Sequence, residues 1–180
     1  MREPIIAVQC EFPVRQPSKF RVFLANTKKK LAGNLLGYCL EEGMMTTAKK
    51  YAGSLGKETV DDTAWRVIVS CTKFPNTKRL LNAMHVAKEF SIPPCDTLRL
   101  ALLGAIRLAC GRNHTTGTAN LMELAELKFT ILPKIGSAAI DYGWKTELKT
   151  VAEEFDTSSL QMVAADTRAA SMIARWGREL

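Results

Sequence analysis

Histidine is scarce in this chain of 180 residues: His85 and His114 are the only two. His85 falls inside a helical pattern, where a structural imidazole is the simplest reading. His114 lies in a polar loop and is the better candidate for function, but no neighbouring acid, second histidine or cysteine completes a triad or a metal set there. HExxH, GxSxG, Walker and GxGxxG patterns are absent, so no sequence signature of catalysis stands out and no cofactor or small-molecule substrate is expected. The five cysteines, Cys10, Cys39, Cys71, Cys95 and Cys110, are odd in number, widely spaced and without a CxxC pair. Buried free thiols in a reducing compartment are the expectation. No apolar run approaches the roughly 20 residues that a membrane-spanning helix needs. The opening MREPIIAVQCEF, with Glu3, Pro4 and Glu11, is poor material for a secretory signal, and no mitochondrial presequence is evident.

Apolar residues make up 47% of the chain, enough to fill one substantial core. Lysine and arginine number 25 against 18 acidic residues, a formal charge of +7, which favours acidic partners: RNA, anionic protein surfaces or membrane headgroups. The cations are dispersed, and Lys28, Lys29 and Lys30 form the one local run.

Three prolines and no helical period mark residues 1–17 as an extended arm, and the pattern changes at Ser18, a candidate cap for residues 18–180 as a helical domain. Leu31 to Leu40 and Thr46 to Leu55 read as a helical hairpin whose exits are Gly43 and Gly56. Asp62 is expected to cap Thr63 to Thr72, with Trp65, Ile68, Val69 and Thr72 on one face and Trp65 buried between helices. Thr77 opens a partner helix built on Leu80, Leu81, Met84, Ala87 and Lys88, which Pro93 and Pro94 stop. Asp96 is expected to cap an almost wholly apolar helix around Leu98 to Ala109, the heart of the core, with Arg99 and Arg107 on its narrow solvated stripe. The loop Gly111 to Gly117 precedes an amphipathic helix from Thr118 to Thr130, built on Leu121, Met122, Leu124, Ala125 and Phe129 and ended by Pro133. Shorter helices follow at Ile135 to Tyr142 and Thr146 to Phe155, and Asp156 is expected to cap a last one from Ser158 into Trp176. Asp61, Asp62, Glu153 and Glu154 read as helix starts and exposed faces.

The hairpin from Thr63 to Asp96 resembles a pentatricopeptide repeat, a helical hairpin of about 35 residues stacked in arrays. LLNAMHVAKEFSIPP is similar to that family's second helix and its end, with Ser91 where glycine is usual. EEGMMTTAKKYAGSLG and ELAELKFTILPK are weaker relatives. The resemblance implies an all-α, right-handed stack of antiparallel helical hairpins in the mitochondrial matrix. In the family, a polar residue early in the first helix and the repeat's last residue read RNA bases. Asp96 matches the last position, but the early position falls at Trp65 to Val67, where a small polar residue is missing.

Short members of the family serve as protein-binding parts of mitochondrial assemblies, including the catalytic head of the ATP synthase and the ribosome. A non-catalytic structural or adaptor subunit of such a large protein assembly is therefore the expected function, with RNA binding as the alternative. Under either reading the candidate contacts are Lys28, Lys29, Lys30, Lys49, Lys50, Lys78, Arg79, Arg99, Arg175, Trp176 and Arg178. Trp176 flanked by Arg175 and Arg178 combines an aromatic plane with charged donors, a pairing suited to a protein contact or a nucleic-acid edge.

Overall fold

Helices account for all the regular secondary structure among the described residues, which in this computed structural model are 19–111, 118–162, 164 and 166–180. The expected arm at 1–17, the Ser18 cap, Cys10 and the His114 portion of the polar loop lie outside them. The helices are α1 (Lys19–Glu41), α2 (Met45–Ala52), α3 (Lys57–Lys73), α4 (Thr77–Glu89), α5 (Pro94–Cys110), α6 (Leu121–Glu126), α7 (Leu132–Asp141), α8 (Lys145–Glu154), α9 (Ser158–Gln161) and α10 (Thr167–Glu179). A π-helical turn, Leu127–Ile131, joins α6 to α7. None of the described helices is long and apolar enough to cross a membrane.

Three helix exits share one construction. At Gly43, Ser91 and Gly143 the backbone turns left-handed, with φ of 74°, 54° and 77°. The next residue's N–H then reaches back to the last full turn: Met44 to the Cys39 carbonyl, Ile92 to Ala87 and Trp144 to Ala139. This is the six-to-one bond of a Schellman ending, and Ile92 and Trp144 bury their side chains beside it. Gly43 is thus the exit the sequence indicated, and Ser91 adopts the conformation for which glycine is usual.

Packing forms two rows. α1, α3, α5 and α8 contact one another in chain order, while α4 packs on both α3 and α5 and also on α7. Polar ties link the second row: Lys49 of α2 pairs with Glu89 of α4, and the Lys88 Nζ of α4 donates to the Tyr142 carbonyl just past α7 at 3.4 Å. This is a helical-repeat-like, all-α arrangement closed at one end by α10 against α8 and α5. α5 lies at its centre, as its apolar sequence indicated, with Leu98, Leu102, Ala105 and Ile106 buried. A methyl at Gly104 would stand 2.6 Å from Leu80 Cδ2 and 3.3 Å from the Thr72 carbonyl, so glycine sets how closely α5 approaches α3 and α4.

Several boundaries differ from the sequence expectations. α1 is one long helix, and Gly56, instead of ending α2, is the extended residue that precedes α3. Asp62 therefore lies inside α3. The helix buries Val60, Ala64, Val67, Ile68 and Cys71, so its buried face is turned away from Trp65 and Val69, which are each 37% exposed. Pro93 and Pro94 start α5 where they were expected to stop α4, since a helix's first turn has no use for the missing N–H. Asp96 consequently sits in the first turn of α5 and caps nothing. Asn120 opens α6, exchanging hydrogen bonds with Glu123 in a capping box. Pro133 does not end that unit, because the preceding π-helical turn gives the proline ring room inside a continuous helical path. Leu124, Leu127 and Ile131, three and four residues apart, form the buried face of this segment and leave Leu121, Met122 and Phe129 on the surface. Finally, the last segment is two helices, and the cap of α10 is Asp166 rather than Asp156.

Candidate partner interface

The eleven candidate contact residues do not converge on one basic surface. Lys28, Lys29 and Lys30 are exposed on α1, and Lys50 is exposed on α2. Lys49 is engaged by Glu89, whose carboxyl that hydrogen bond holds below the usual carboxylate range. Arg79 turns inward to Ser70 Oγ at 3.1 Å. Arg99 makes a bidentate bond to Glu154 of α8, at 2.8 and 2.9 Å, and a third contact to Asp96 at 2.8 Å. It therefore holds α5 against α8, which corrects its expected place on a solvated stripe. Arg175 pairs with Glu179 along α10, and Arg178 pairs with Asp156.

Lys78 and Arg79 do share a surface. They line a groove of about 490 Å³ with Glu41, Glu42, Asn82, His85 and Tyr142, running from the end of α1 across α4 to the end of α7. Its lining holds two acids, Glu41 and Glu42 at the end of α1, and two cations, Lys78 and Arg79 of α4. Asn82 donates to the Leu40 carbonyl at 2.7 Å, and the His85 ring meets Tyr142 edge-on, so both bind neighbouring helices together. The structural imidazole expected at His85 agrees with this position.

A second surface surrounds Trp176. Its half-buried ring lies against Gly136 of α7, where an added methyl would come within 3.0 Å of Trp176 Cζ2. On one side is a hollow of about 320 Å³ lined by Pro133, Gly136, Ser137, Ile140, Asp141 and Leu180; on the other is one of about 260 Å³ lined by Lys128, Arg168, Ser171, Met172, Arg175 and Glu179. Trp176 is a wall of both. Beside them, Phe129 and Ile140 are 71% and 51% exposed, and Lys128 Nζ stands 5.2 Å from the Phe129 ring centroid. Periodicity assigned Phe129 to the core with Leu121 and Met122, but Leu124, Leu127 and Ile131, three and four residues apart, take the buried face, and Phe129, two residues beyond Leu127, lies opposite it.

The surface is held from below by Asp166, which sequence reading passed over. Its carboxylate accepts from Ala119 N at 2.6 Å and Arg168 N at 2.8 Å, and it pairs with the Arg168 guanidinium at 2.9 Å. That guanidinium also donates to the Ala119 carbonyl. Burial alone would raise the carboxyl, but these donors outweigh it and bring Asp166 down to about 2. The segment at Ala119 is thereby fastened to the start of α10.

The chemistry of the remaining polar groups is subdued. Cys39, Cys71, Cys95 and Cys110 are free, all but Cys95 are buried, and burial pushes the thiols of Cys71 and Cys110 up. Among the described residues no three His, Cys, Asp or Glu side chains are placed to hold a metal ion. The chain matches no protein-family model, no curated protein and no solved structure.

Proposed function

We propose that this protein is a structural or adaptor subunit that docks other proteins within a multiprotein assembly. The observation that carries this reading is the contrast between its cations and its apolar side chains. Lys49, Arg79, Arg99 and Arg178 are occupied within the fold, whereas Leu121, Met122, Phe129 and Ile140 stand exposed along the helical path from α6 to α7. Phosphate binding needs cations free to displace counterions. Exposed apolar side chains beside a tryptophan are better served by a protein surface that excludes water.

The pentatricopeptide resemblance adds the finer reading: a short stack of such hairpins in the mitochondrial matrix, attached to the catalytic head of the ATP synthase or, as the second choice, to the ribosome. Native purification with crosslinking mass spectrometry tests this, and recovery as a lone monomer would refute it. RNA binding remains the alternative for Lys28, Lys29, Lys30 and Lys50, which are exposed. It requires an affinity for mixed RNA that falls steeply with salt.

A further inference from the structure

The hollows on either side of Trp176 differ in character. The one beside Ile140 has Pro133, Gly136 and Leu180 in its wall with a single acid, Asp141. The one beside Met172 has three cations, Lys128, Arg168 and Arg175, against a single acid, Glu179. Lys128 has no ion pair among the described residues, and the Arg175 side chain is 80% exposed although it touches Glu179. Two helices, α7 and α10, supply most of the walls, with Lys128 coming from the π-helical turn. The surface therefore offers an apolar end, a tryptophan in the middle and a cationic end.

We propose that this surface receives an amphipathic helix from a partner protein, with apolar residues at helical spacing toward Trp176 and Ile140 and carboxylates toward Lys128 and Arg175. The inference rests on the adaptor reading and specifies the chemistry of its partner. A helix fits because side chains three, four and seven residues apart share one face and can place an apolar anchor on either side of a ridge such as Trp176. Acidic flanks fit because, with Arg168 paired to Asp166, Glu179 alone faces both Lys128 and Arg175, and its contact with Arg175 is an exposed one at 3.5 Å. RNA would satisfy those cations too, but it would leave Ile140, Met172 and Leu180 without an apolar counterpart, since aliphatic side chains provide no plane on which bases stack. Arg168 serves the site by position: its bonds to Asp166 and Ala119 fix it at the rim.

The test uses the native assembly treated with a carbodiimide, which couples a carboxylate directly to a lysine amine. The expected product joins Lys128 to an aspartate or glutamate within an amphipathic helical stretch of the partner. Replacing Lys128→Glu together with Arg175→Glu should cut recovery of that partner at least about tenfold, whereas Lys57→Glu at the exposed start of α3 should leave it unchanged. The circular dichroism of the charge variant must match that of wild type; a second variant, Ile140→Glu, removes the apolar contact without touching the cations and should also reduce recovery. A stable partner that couples only elsewhere, or that tolerates both groove variants, would overturn the groove assignment and leave the adaptor reading standing. Photocrosslinking of RNA to Trp176 would overturn the groove assignment in favour of nucleic acid. Recovery of the wild-type chain without any protein partner would overturn both.

Discussion

Replacing Asp166 should expose how much of the C-terminal packing depends on one buried carboxylate. The residue is 3% exposed, caps α10 and holds the Ala119 N–H. Asp166→Ala removes the cap, worth about 1 kcal/mol, and strands a buried donor, worth about 1–3 kcal/mol. A loss of about 2–4 kcal/mol corresponds to a fall in melting temperature of about 5–15 °C for a chain of this size. Asp166→Asn isolates the charge, because asparagine is as good a cap as aspartate.

The dependence on pH separates these contributions. The carboxyl moves from an ordinary 3.8 to about 2 on folding, so its charge contributes stability above the unfolded value and loses it as pH falls from about 4 toward 2. The shift corresponds to about 2 kcal/mol. Urea unfolding followed by far-ultraviolet circular dichroism should therefore show wild type more stable than Asp166→Asn by about 2 kcal/mol at pH 7, with the gap closing as the medium approaches pH 2. A gap that stays constant across that interval would refute the assignment of charge, and an Asp166→Ala melting point within about 2 °C of wild type would refute the structural role altogether.

Ser91→Gly should stabilise the protein by about 0.5–1 kcal/mol in the same unfolding assay, because it relieves a left-handed serine at the end of α4. Gly104→Val should destabilise it by about 2 kcal/mol or more, since even the first added carbon meets Leu80 and the Thr72 carbonyl. Arg99→Met should cost about 1–2 kcal/mol through loss of the charge-assisted bonds to Glu154, and at high salt the gap between variant and wild type should narrow only slightly because the pair is largely covered.

Exits and the central helix were more legible than boundaries and faces. Gly43 stands out because a left-handed exit rewards the absence of a Cβ, and α5 stands out because nearly every side chain on it is apolar. Asp62 and Asp96 misled because a carboxylate is equally at home as a cap or within the first turns of a helix, and sequence alone does not separate these uses. Pro133 misled for a different reason. A proline ends an ideal helix, but a π-helical turn before it relaxes the clash, so the helical path runs on through Pro133.

That continuous path connects the fold to the candidate interface. Leu121, Ala125 and Phe129, four residues apart, define one face of this segment and Leu124, Leu127 and Ile131 another, and the fold buries the second. With Leu127 and Ile131 in the core, Phe129 stands at the surface and Lys128 reaches the wall of the Trp176 groove. Gly136, farther along the same helix, leaves room for the indole. The arginines flanking Trp176 looked like the functional cations in sequence, yet Arg178 is turned to Asp156 and Arg175 shares Glu179, while Lys128, distant in the chain, stands in the groove without an ion pair among the described residues. A charge pattern read along one helix cannot contain a residue that the opposite wall supplies, so the groove is a property of how α10 meets the path from α6 to α7.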